Sequence, residues 1–158
     1  MKVFTLSALC LSSILVAGCS SDDPANSVDI DILSGQTYAR CDGAGSKVTY
    51  AFDNGSVTKT TETFAAGDCS GAAQTTMADA LTYQNGNSLT DNDGNEVLGF
   101  NLTENGTTLY TIRRLSGGTL GLSNLNFGST ADSDTGRDGS TEALRHNGLN
   151  DTETFELQ

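Results

Sequence analysis

Lys47-Val48-Thr49-Tyr50-Ala51-Phe52-Asp53-Asn54-Gly55-Ser56-Val57 sets the architecture of this chain. Val48, Tyr50 and Phe52 fall on one face of an extended segment, and Lys47 and Thr49 fall on the other. That is the two-residue period of a half-buried strand. Asn54-Gly55 then places together two residues that tolerate positive φ, the strongest short-range signal for a two-residue hairpin. Ser56 to Phe64 reads as the return strand, with Thr at 58, 60, 61 and 63.

The same grammar extends outward. Gln36 to Cys41 can form a strand before this hairpin. Ala80 to Gln84 is a strand candidate, punctuated by Asn85-Gly86, and 91–95 is a turn. Val97 to Thr103 alternates, with Leu98, Phe100 and Leu102 inward. Asn105-Gly106 turns into Leu109 to Leu115, and Gly117-Gly118 turns into Thr119 to Phe127. Thr152 to Gln158 is a last strand with Phe155 and Leu157 on one face. Between these, Gly71 to Ala80 has helix formers and no turn signal, so one or two helical turns are expected there. Ser129 to Ser140 is a loop of Gly, Asp and Ser. Seven or eight short strands joined by hairpins predict an all-β fold, a small antiparallel up-and-down β-barrel, with a β-sandwich as the alternative. A last strand paired with the first would close the sheet and remove its edges.

The N-terminus reads differently. Lys2 is followed by an apolar run from Val3 to Val16, then by Ala17, Gly18 and Cys19. A basic start, an apolar stretch and small residues at a cut form a secretion signal. Fourteen helical residues rise about 21 Å, short of a bilayer core of about 30 Å. Leu15-Val16-Ala17-Gly18-Cys19 resembles a bacterial lipobox, the cleavage site of signal peptidase II. The resemblance implies removal of residues 1–18 and acylation of Cys19. Ser20 after that cysteine, rather than Asp, resembles the pattern of Gram-negative lipoproteins released to the outer membrane. The expected organisation is a signal peptide over 1–18, a lipidated cysteine and flexible tether over 19–34, and a β-domain over 35–158.

Twenty acids against seven Lys and Arg leave the chain beyond residue 18 with a formal charge of −13. Such a chain repels phosphate backbones and anionic headgroups, so nucleic acid is not an expected partner and the domain is expected to stand off the membrane. Leu, Ile, Val and Phe are only 25 of those 140 residues, but twenty Thr favour strands over disorder. Cys41 and Cys69 remain in an exported chain, where a disulfide is expected. Strands two places apart lie about 9.6 Å from each other, and a disulfide needs Cα atoms within about 7 Å. Ala65 to Asp68 must therefore fold back across the end of the middle strand.

The chemistry-bearing candidates are few. Asp91, Asp93 and Asn95 are a thin calcium candidate against the reading of a solvated turn, because Glu96 replaces the glycine an EF-hand loop needs. Asp42 to Lys47 is Gly-rich but lacks the spacing of a phosphate loop. His146, the one histidine, is expected at the surface. Of the adjacent Arg113 and Arg114, one must point to each face of its strand. No catalytic constellation and no cofactor motif is present. Gly35-Gln36-Thr37-Tyr38 and Arg145 resemble the opening Gly-x-Trp motif and the late arginine of small lipocalin-like barrels, although this chain has no Trp. The resemblance implies a barrel, whose interior Tyr38, Tyr50, Phe52 and Phe100 would line, first as core and second as the wall of a cavity for a small apolar ligand. The expected function is a non-catalytic, membrane-anchored envelope lipoprotein that binds such a ligand or an envelope component. A structural or surface-interaction lipoprotein with a solid core is the alternative, and a hydrolase the remote one.

Overall fold

A computed structural model describes residues 31–125 and 136–158. The stretch read as a signal and lipobox, including Cys19, and residues 129–135 of the Gly, Asp and Ser loop lie outside the described residues. Eight strands follow in chain order: β1 Thr37–Cys41, β2 Ser46–Asp53, β3 Ser56–Thr63, β4 Thr75–Thr90, β5 Glu96–Glu104, β6 Thr107–Ser116, β7 Thr119–Leu122 and β8 Thr154–Leu157. Each pairs antiparallel with the next, and β8 pairs with β1, so the sheet is a closed up-and-down barrel. The barrel reading holds and the sandwich does not.

The β2–β3 hairpin turns on Asn54 (φ 48°) and Gly55 (φ 85°), both left-handed, as a type I′ turn requires. Asn105-Gly106 and Gly117-Gly118 turn the same way. The barrel has an N-terminal end, with residues 31–36, the turns at 54–55, 91–95 and 117–118, and Gln158. Its far end holds the β1–β2 loop, the β3–β4 connection and Asn105-Gly106.

Three expectations need correction. Gly71 to Ala80 is not helical: β4 begins at Thr75 and pairs with β3 from Thr63↔Thr75 to Ser56↔Thr82. An unpaired β3 edge and β-prone Thr75 and Thr76 outweigh local helix preference. Asn85-Gly86 does not turn. The strand runs through it to Thr90, with a register shift between Asn85 and Ser88. Gly86 is there because a Cβ would lie 3.2 Å from Gly99 Cα on the neighbouring strand. Finally, β7 stops at Leu122 instead of continuing to Phe127.

The fold-back argued from the cysteines is present. Cys41 and Cys69 are bonded, with Cα atoms 6.1 Å apart. The chain returns over the β1–β2 loop so closely that a Cβ on Gly45 would sit 2.8 Å from the Phe64 carbonyl oxygen. One on Gly67 would sit 2.8 Å from that of Gly43.

Candidate functional site

The barrel interior, where core was the first reading and a ligand cavity the second, is occupied by its own side chains. Phe52 is the hub. Its ring centroid lies 5.1 Å from that of Tyr83, 6.2 Å from Tyr38, and 6.3 Å from both Tyr50 and Phe100. Phe155 meets Tyr50 edge-on at 5.1 Å. Val57, Leu81, Leu102, Leu109, Leu120 and Leu122 fill the space around these rings. Tyr38, Tyr50, Phe52 and Phe100 are therefore brought together, each at most 5% exposed, as core. Burial raises the Tyr38 and Tyr50 phenols above their ordinary pKa. The Glu153 carboxylate adds to the effect at Tyr50.

The N-terminal end is closed by the chain just before β1. Leu33 is fully buried beneath the rim. Asp31 accepts hydrogen bonds from the Tyr83 hydroxyl and from Asn85 Nδ2, and Asn85 Oδ1 in turn accepts from Arg113 Nε at 3.0 Å. Burial, then the bond to Asp31, pushes the Tyr83 phenol up to about 12. Ser34 Oγ receives the Asn54 N–H, tying this segment to the β2–β3 turn. Residues 31–34, read from the sequence as the end of a tether, pack against the barrel. Above this latch the rim forms a shallow apolar cup of about 270 Å³, walled by Ile32, Val97, Leu98 and Leu115, with Glu96, Arg113 and Arg114 at its edges. Arg113 points in and is buried, while Arg114 is exposed, as the alternation requires.

A second concavity, about 280 Å³, lies outside the wall, between β4–β6 and the segment 137–147. Beyond Ile112, β7 no longer reaches β6. Gly139 and His146 complete that edge: the Tyr110 N–H donates to the Gly139 carbonyl, and the His146 N–H donates to that of Tyr110. Arg145 crosses the outer face. Its Nη1 donates to Asn101 Oδ1 and to the Thr111 carbonyl, both at 2.8 Å. The guanidinium stacks over Tyr110 at 5.3 Å and lies against Gly99. Arg145 therefore packs over Tyr110 on β6, and not over the opening stretch 35–38 where the resemblance would place a late arginine. His146 is fully buried, against the surface position expected for it. A turn before Asn147-Gly148 suggested exposure. The need to complete the β6 edge draws it inside instead.

At the far end the inward register carries charge. Arg40, Lys59, Asp79 and Glu104 are half-buried around the mouth, and the carboxylates and Arg40 all act on the Tyr50 phenol below. Arg40 stacks over Phe155 at 5.3 Å and pairs with Glu153 at 3.7 Å. Burial pushes the Glu153 carboxyl up, opposed by Arg40.

The turn candidates are structural in their contacts. Asp91 Oδ1 accepts the N–H groups of Asp93 and Asn95, and both Asp91 oxygens face Asn95 Nδ2. Burial alone would raise that carboxyl, but the donors from Asn95 and Asp93 hold it below its usual range. Among the described residues no group of three or more His, Cys, Asp or Glu is placed to hold a metal. In the Gly-rich loop after β1, Asp42 Oδ1 takes the N–H groups of Ala44 and Ser46, the position an anion would need.

Comparison with protein-family models, with curated proteins and with solved structures gives no match to this chain.

Proposed function

We propose that the chain is an acyl-anchored envelope lipoprotein whose β-barrel is a solid, non-catalytic scaffold that meets another envelope component through its outer surface. The observation that carries the scaffold reading is the Phe52 ring cluster, which fills the space an apolar ligand would take. The anchor rests on Leu15 to Cys19, and export is in keeping with a bonded Cys41–Cys69 pair. The formal charge of −13 beyond residue 18 supports a protein partner or neutral surface over an anionic polymer.

The test has two parts on the full-length chain expressed in a bacterium. Cys19→Ser should move the protein out of the membrane fraction, and the N-terminal peptide of the unaltered chain should carry acyl mass. Native mass spectrometry of the detergent-released protein should show the acylated polypeptide with no further small molecule bound. A small apolar molecule retained at a fixed ratio would overturn the solid scaffold and restore the ligand-binding reading.

A further inference from the structure

We infer that the N-terminal end of the barrel is a docking face for the bilayer that holds the anchor, with Ile32 and the apolar cup turned toward the lipid. This rests on the anchored reading above.

Exposed apolar side chains gather at one end. Among the described residues Ile32 is 52% exposed, Leu157 45% and Leu89 38%, and all three sit at the N-terminal end. Ile32 joins the half-buried Leu98 and Leu115 in the wall of the cup, Leu157 lies on β8 at the same end, and Leu89 on β4 borders the outer concavity. Two other large apolar residues are exposed, Met77 toward the far end and Leu144 on the segment outside the wall, and neither lines the cup. Asp31, held by Tyr83 and Asn85, and Leu33, buried in the barrel, fix Ile32 between them, so its exposure is imposed by the latch. The opposite mouth carries Arg40, Lys59, Asp79, Glu104 and Glu153.

The length of chain outside the structure identifies the occupant. Eleven residues, 20–30, separate Cys19 from Asp31. At no more than about 3.6 Å per residue they hold the rim within roughly 40 Å of the anchor. Tethering raises the effective concentration of the membrane surface at this end to the millimolar range, so a weak apolar contact suffices to seat it. Charge sets the lipid class. Asp53, Asp93, Glu96 and Glu156 are exposed around the rim against Arg114. Zwitterionic headgroups tolerate that balance and anionic ones repel it. The acidic charge thus selects the lipid and does not hold the domain away from every membrane.

The chain has no Trp, so one introduced residue reports alone. The full-length, acylated chain carrying Ile32→Trp or Met77→Trp is placed in phosphatidylcholine vesicles containing a spin-labelled lipid quencher. Met77 is 65% exposed and lies toward the far end. Docking predicts several-fold stronger quenching at position 32 than at 77. It also predicts that the difference falls as phosphatidylglycerol replaces phosphatidylcholine at low salt. Equal, weak quenching in both variants on vesicles that carry the protein overturns docking and leaves the anchor intact. Shielding of the indole introduced at position 32 that follows protein concentration and not lipid assigns the face to a second copy and also overturns it. Failure of either variant to float with vesicles removes the anchor, and docking with it.

Discussion

Phe52 touches four other rings, so its removal strips the centre of the barrel. Phe52→Ala is expected to destabilise the fold by about 3–5 kcal/mol, read from denaturant unfolding. Gly139 has φ 67°, and a Cβ there would lie 2.6 Å from Leu109 Cδ1 and 2.7 Å from His146 Nε2. Gly139→Ala is therefore expected to cost about 1–3 kcal/mol by overpacking, measured in the same way. Asp31→Ala leaves the buried Tyr83 hydroxyl and Asn85 amide without that acceptor. A loss of about 1–3 kcal/mol should follow, with faster hydrogen exchange over residues 31–36. The roles of Tyr50, Phe52 and Phe100 as inward residues were legible from alternation alone. Those of His146 and Arg145 were not. Both act through a β6 edge that β7 leaves open, and nothing local to 145–146 encodes that gap.

Among the strands and turns, Asn-Gly pairs at three places separate what local chemistry can and cannot settle. At 54–55 and 105–106 both residues adopt positive φ and the chain reverses. At 85–86 neither residue is left-handed and β4 continues, because Gly86 is required for close approach to Gly99. The dipeptide permits a turn, and pairing with β3 and β5 determines whether one forms. The disulfide was legible for a different reason: strand spacing and the reach of a disulfide left one route for residues 65–68. Cys41→Ser with Cys69→Ser should cost about 2–5 kcal/mol and leave the barrel folded in near-neutral buffer, visible as a lower unfolding midpoint with unchanged circular dichroism. A chain that fails to fold without the bond would show that the fold-back is needed to form β3–β4 pairing, and not only to staple it.

Taking the barrel entire, closure through β1–β8 removes the outer edges of the sheet and places three phenols in a shared interior. Tyr38, Tyr50 and Tyr83 all have raised pKa values, chiefly through burial. In the unfolded chain a Tyr ionises near 10.0, whereas Tyr83 does so at about 12 in the fold. Their stabilisation is present in full below pH 10.0 and is lost as the pH rises through the folded values. The midpoint of urea unfolding should drop steeply across that window. Phenolate absorbance from these residues should grow in step with loss of structure. If they titrate with the fold intact at pH 10.0, the interior is wet and the solid-core reading fails.

Class, strand count, most hairpins and the disulfide route could all be read from the residues in order. Each of these follows from alternation, left-handed turn residues or chain reach, which are properties of neighbours along the chain. The latch at 31–34, the extended Asn85-Gly86 and the buried His146 emerge only once the barrel closes. Each of those depends on which distant groups meet, and on whether a closed wall leaves a donor, an acceptor or a volume to be filled.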